Sequence, residues 1–229
     1  MNSRLRNIVI VIFLCTAISA SQEHLYTINF NSSYITSSKL FYSPNNSNDF
    51  LRSQYHALDN IFGVGVELRR TIEESIVQVG IGVEYISTRE SFSNPISSTK
   101  AEHGYDGFSV FAVEFTGYAA VPFNSETVHM YIGGGAGLYI GRRNYEYEGV
   151  VSQTISQKAG YGIHIVSGIE YMLSQRIALL SEVKFRDIQF ETTNVFSYKA
   201  GFAPPYLAPF SSRFSIDGMT LRLGFAARL

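Results

Sequence analysis

The residues with the most chemical potential in this sequence are carboxylates set in apolar, small-residue runs. They are Glu67 in VGVEL, Glu84 in IGVEY, Glu114 in AVEF, Glu170 in SGIEY and Glu182 in LSEV. Three cations stand in comparable surroundings: Lys184 and Arg186 in EVKFR, and Arg222 in LRL. A charge taken out of water costs several kcal/mol unless a partner and hydrogen bonds replace its hydration, roughly 3–5 kcal/mol when one partner is removed. Two chemistries fit such a set. One is a sealed salt-bridge plug; the other is a gated polar path for protons or small ions, which the excess of glutamates over these three cations would serve.

Other chemistries find less support. A serine nucleophile needs a histidine and an acid in reach, yet none of His24, His56, His103, His129 and His164 has a serine two residues on. No Asp-His dyad stands out, and the five histidines are too scattered for ligands paired at i and i+2 on a strand. The expectation is a protein that is not an enzyme and has no cofactor, with lone histidines such as His129 and His164 serving as polar filler.

The elements that carry these charges alternate with period two, so they read as strands with one apolar and one polar face. Eight are expected: His24 to Ile35, Asn60 to Arg70, Ser75 to Thr88, Asp106 to Pro122, Thr127 to Ile140, Ala159 to Met172, Arg176 to Glu191, and a closing strand from Met219 to Leu229. In the third, Val77, Val79, Ile81, Val83 and Tyr85 alternate with Gln78, Gly80, Gly82 and Glu84. Short turns follow the second, fourth and sixth strands. Long segments, Thr36 to Asn60, Arg89 to Tyr105, Gly141 to Lys158 and Thr192 to Arg213, follow the others and read as loops. Adjacent strands should bring Glu182 and Lys184 near Arg222, and Glu84 near Glu114.

Alternation alone does not say which face meets which medium, and a soluble ligand-binding barrel has the same period. Three features favour lipid outside. Glycines share the polar face, as a narrow lumen requires. The charges on that face are few and mixed. Tyr26, Tyr34, Tyr85, Tyr161 and Tyr171 lie near the ends of the apolar bands, where an aromatic girdle belongs. Roughly ten tilted residues cross a bilayer, and each strand reaches that length.

The 229-residue chain opens with Arg4 and Arg6, an apolar run from Ile8 to Leu14, and small residues at Ala17, Ser19 and Ala20. That order reads as a cleaved secretory signal over residues 1–20, leaving residues 21–229 as one barrel domain. The only cysteine, Cys15, leaves with the signal, which suits an oxidising compartment. Two of the 18 basic residues leave too, so 16 stand against 19 acidic ones, a formal charge of −3. No clustered basic surface points to nucleic acid.

The alternation Met219, Leu221, Leu223, Phe225, Ala227, Leu229 resembles the C-terminal strand of bacterial outer-membrane β-barrels, with Leu229 where that family typically has Phe. Together with the alternating short and long connections, it makes the chain similar to small outer-membrane barrels such as the outer-membrane protein A transmembrane domain and the X-type and W-type proteins. The resemblance implies an all-β, eight-stranded antiparallel up-and-down transmembrane barrel with short periplasmic turns, four long extracellular loops and both termini in the periplasm. It implies residence in the outer membrane of a Gram-negative type bacterium, embedded in its lipid. It also implies delivery by periplasmic chaperones and barrel-assembly machinery that reads Leu221, Leu223, Phe225 and Leu229. The expected role is structural, adhesive or surface-interacting around a side-chain-filled interior, and the alternative is a narrow channel or transporter for small, including hydrophobic, molecules. Loop residues Tyr145 and Tyr147, in an acidic aromatic tip, and Phe202, Tyr206 and Phe210, in a Pro-rich arm, are the candidates for contacting an extracellular ligand.

Overall fold

Strands in this chain are specified by side chains that alternate between two media, and their ladder hydrogen bonds join them into one closed sheet. A computed structural model describes residues 25–72, 76–97, 100–122, 125–197 and 208–229, with backbone alone for 94–97 and 100–102. The expected signal segment lies outside the described residues. In chain order the elements are β1 (Tyr26–Ile35), β2 (Ser38–Phe41), α1 (Asp49–Ser53), β3 (Tyr55–Leu58), β4 (Ile61–Thr71), β5 (Val77–Ser97) and β6 (Lys100–Ala120). They continue with β7 (Val128–Arg143), β8 (Glu146–Tyr147), β9 (Val150–Lys158), β10 (Gly160–Met172), β11 (Ile177–Phe196), β12 (Phe210–Ile216) and β13 (Met219–Arg228).

Eight of these strands form an antiparallel ring in the order β1-β4-β5-β6-β7-β10-β11-β13. The last strand pairs back on the first, Ile28 opposite Ala227 through Ile35 opposite Thr220, and so removes both edges. The outer face is apolar: Phe30, Val64, Ile81, Phe115, Ile132, Ile163, Leu179 and Leu223 are all exposed. Tyr26, Tyr34, Tyr85, Tyr161 and Tyr171 are exposed on the same face. Among the described residues no helix is long and apolar enough to cross a membrane; the crossing elements are strands.

The strands outrun the expected boundaries. β5 and β6 have 21 residues each; at about 3.3 Å per residue and a tilt near 40°, such a strand rises about 50 Å, twice the ~25 Å apolar band. The sequence boundary at Thr88 and Asp106 marks where the outer face stops being apolar. The ladder continues, because backbone groups pair regardless of what the side chains face. Arg89 opposite Gly107 and Phe92 opposite Gly104 extend the hairpin through what reads as a loop.

The other expected loops also contribute strands among their described residues. The first holds the β2–β3 hairpin with α1 at its tip, and β2 pairs with β12 from the fourth. The third holds β8 and β9, joined by a tight turn at Glu148 and Gly149, both with positive φ. β11 pairs with β10 and β13 in the ring, then with β9 and β12 above it. The four connections thus build a collar on the loop end of the barrel, and the sheet holds 13 strands among the described residues.

Candidate functional site

β11 sets out the contents of the lumen in a single line. Its inward residues run Leu180, Glu182, Lys184, Arg186, Ile188, Phe190, Thr192, Asn194 and Phe196, all buried. From turn end to loop end the interior is therefore apolar, ionic, apolar, polar and apolar again.

The ionic layer is built by large residues set opposite small ones, which a narrow barrel demands. Glu67 and Glu114 both face Gly82, Glu84 faces Gly65 and Ala112, Glu182 faces Gly168, and Arg69 faces Gly80. Toward the loop end, Lys184 Nζ donates to Glu114 Oε2 at 2.5 Å, and Arg186 Nη1 donates to Glu84 Oε2 at 3.0 Å. Arg222 Nη2 reaches Glu84 at 2.8 Å and Glu114 at 3.4 Å, and its Nη1 lies 3.4 Å from Glu182. The Tyr139 and Ser33 hydroxyls donate to Glu114 and Glu84 at 2.8 and 2.6 Å. Toward the turn end, Arg69 is the hub. It donates to Glu182 at 2.6 Å and Glu67 at 2.8 Å, and lies 3.4 Å from Glu170. Its guanidinium carbon sits 4.0 Å from the Tyr118 ring centroid and 4.9 Å from that of Tyr131. The Tyr131 hydroxyl donates to Glu182 at 2.6 Å, and that of Tyr118 donates to Glu67.

All eight network residues read from the sequence thus lie in one connected layer, with Glu182 opposite Arg222 in register and Glu84 and Glu114 sharing Arg186 and Arg222. The expectation that only Lys184, Arg186 and Arg222 balance the five glutamates is corrected. Arg69 is a fourth buried cation, and Arg228 approaches Glu170 at 3.5 Å from the turn end. Five acids meet five bases, which removes the glutamate excess. The signal was present in the alternation: Arg69 shares the phase of Glu67, while its neighbour Arg70 points out.

Above the ionic layer the lumen is closed by hydrocarbon, which the reading of a polar inner face did not include. Ile35, Ile61, Ile86, Val110 and Ile188 surround Phe108, Phe190 and Phe214 in one fully buried cluster that takes in Leu40 and Leu58 of the collar. The Phe190 and Phe214 rings stack with centroids 5.0 Å apart, and Phe108 meets them edge-on at 6.0 and 5.2 Å. These residues continue the inward phase beyond the point where the outer face ceases to be apolar. The cavity beside Glu84, Glu114 and Arg222 measures about 10 Å³, and one of about 90 Å³ lies at the turn end by His129, Glu170 and Arg228.

A second ion pair sits above this plug. Arg143 Nε donates to Asp106 at 2.9 Å and its Nη1 to Ser212 at 2.7 Å, while Asn194 donates to the Arg143 carbonyl at 3.3 Å. It ties β6, β7, β11 and β12 together beneath an aromatic cap. Tyr147, Val150 and Phe196 are the buried centre of that cap, with Phe92, Tyr145 and Phe210 packed against it. Of the loop contact candidates, Tyr147 is buried at the centre of that cap, where β8 pairs with β6 and β9, while Tyr145 and Phe210 are half-buried against it. Phe202 and Tyr206 lie outside the described residues. Leu221, Leu223 and Phe225 project outward from β13, and Leu229 follows the strand, its amide donating to the Tyr26 carbonyl at 2.8 Å.

An eight-strand ring with an apolar outer band, a girdle of tyrosines and a side-chain-filled lumen defines a small β-barrel of the Gram-negative outer membrane, embedded in its lipid. Its fold is similar to that of the outer membrane protein OprG from Pseudomonas aeruginosa, at TM-score 0.55 and 12% identity over 89% of this chain and 95% of that one. Neisserial surface protein A aligns over 89% of this chain and 97% of its own at TM-score 0.48 and 10% identity. No protein-family model matches the sequence, and no curated protein matches it.

Proposed function

We propose that this barrel is a non-conducting, non-catalytic scaffold that displays its collar at the cell surface as an interaction platform. The collar faces outward, and both termini face the periplasm. The observation that carries the reading is the double closure of the lumen, a stacked phenylalanine plug on a charge-balanced ionic layer. An axial path for ions would have to displace both. The ordered collar supports the platform role, since rigid strands present a surface without the entropic cost of fixing flexible loops. The expected route of assembly is recognition of Leu221, Leu223, Phe225 and Leu229 by barrel-assembly machinery after transport by periplasmic chaperones.

Single-channel recording of the refolded mature protein in a planar bilayer tests the closure. Silence from the wild type, with steady conductance appearing in Phe190→Ala/Phe214→Ala, is the expected result. Steady conductance of the wild type, shifted by Glu114→Gln, would replace the scaffold with a narrow channel lined by the inward carboxylates.

A further inference from the structure

The outer wall of the barrel carries a basic recess directly above the apolar band. Tyr85, Phe111 and Ile140 form one exposed cross-strand row on β5, β6 and β7. The next outward row is Ser87, Ser109 and Arg142, and the one above begins with Arg89 opposite Gly107. At this height β7 ends and β6 pairs onward with β8, so the wall opens into a groove of about 710 Å³ bordered by β9. Its floor includes the small residue Ser109, with Ser87 beside it in the same cross-strand row. Its sides include Arg142 and Arg89.

Arg142 is exposed and has no acidic partner among the described residues. Arg89 lies 4.0 Å over the Tyr105 ring and meets Glu146, the carboxylate lining the groove, at 2.8 Å. Asn144, Gln153 and Gln157 add uncharged polar groups to the lining. Arg142 and Arg89 thus stand together just above the outward apolar row of Tyr85, Phe111 and Ile140.

We propose that this groove seats the phosphorylated headgroup of an outer-leaflet lipid, with phosphate oxygens bridged between Arg142 and Arg89 and acyl chains lying down the Tyr85–Phe111–Ile140 row. Guanidinium forks bind phosphate through paired, charge-assisted hydrogen bonds. The small floor admits the headgroup where larger side chains would fill the recess. The assignment to the outer leaflet rests on the outward-facing collar; the phosphate chemistry does not.

The test uses the refolded mature barrel in phosphatidylcholine nanodiscs doped with a bis-phosphorylated, acylated glucosamine disaccharide, and native mass spectrometry to count the lipid retained. The phosphorylated lipid should be retained about ten-fold over its dephosphorylated counterpart, the scale of one charge-assisted hydrogen bond. Arg89→Gln/Arg142→Gln should erase that preference, and Ser87→Glu should do so with both arginines present. Lys39→Gln, a basic residue of the collar outside the groove, should keep it. Heat-modifiable gel migration verifies that each variant is folded. Equal retention of the two lipids, or retention unchanged in both groove variants, would overturn the proposal. Displacement by excess inorganic phosphate would also overturn it, making the groove a site for soluble anions.

Discussion

The ionic layer and the phenylalanine plug lie one above the other and fill the same lumen by opposite means. The plug is held by shape: its groups lose little by leaving water, so each truncation should cost in proportion to the contact it removes. The ionic layer is held by mutual neutralisation. Each charge is tolerable only while its partners stand, so loss of one member leaves the others buried and unpaired. A lumen of fixed cross-section can use both, with graded sensitivity in one layer and steep sensitivity in the other. The barrel places the steep layer within the height of its apolar outer band.

The sharpest way to break this contrast is to remove the hub. Arg69→Met leaves Glu67, Glu170 and Glu182 short of a partner and should cost about 3–5 kcal/mol in urea unfolding from lipid vesicles. Adding Glu182→Leu to Arg69→Met should recover part of that loss, a positive coupling that a shape-held layer would not give. Simple additivity of the two would count against a neutralised network.

A milder perturbation addresses the plug. A methyl group at Gly141 would run into the Phe190 ring, which is already packed between Phe108 and Phe214. Gly141→Ala should destabilise by about 1–3 kcal/mol through overpacking, read by the same unfolding assay. No change would mean that the stacked rings have room to shift and that the plug is looser than its contacts imply.

The smallest effect belongs to the collar, where Lys39 Nζ meets Asp217 Oδ2 at 2.5 Å with both side chains part-exposed. Lys39→Ala should cost less than about 1 kcal/mol, as exposed pairs do. The hydrogen bond from Lys39 to Asp217, helped by their opposite charges, holds the ammonium above its ordinary value of 10.5. A group raised on folding stabilises fully below its unfolded value and loses that contribution as pH climbs through the folded one. The wild-type advantage over Lys39→Ala should therefore persist to about pH 10 and fade above it. A difference that is flat across the alkaline range would show that the pair contributes nothing to stability.

Much of this architecture is readable from local pattern, and its gaps have definite causes. Glu84 alternates with Val83 and Tyr85, which shows its face directly; Arg69 does too, but beside Arg70 and the following turn it looks like a strand terminus. Ile86, Phe108, Ile188 and Phe190 lie inside the expected strands and keep the inward phase past the point where outward residues turn polar, so the rule of apolar outside and polar inside does not reveal them as a plug. Tyr145 and Tyr147, in a run of charged and aromatic residues, carry every local mark of an exposed tip. The burial of Tyr147 comes from β8 pairing with β6 some forty residues earlier in the chain, which composition does not encode.

What the sequence determined by itself is the ring: eight two-faced crossings, their order, and the alternation of short and long connections. These follow from a period of two between lipid and lumen, a property of each segment alone. What only the tertiary structure decided is which charge meets which, and where the lumen is closed. Arg69 reaches Glu182 across 113 residues of chain, and Phe108, Phe190 and Phe214 meet from three different strands. Those meetings depend on the stagger with which the ring closes, a quantity shared by all eight strands and written in none of them singly.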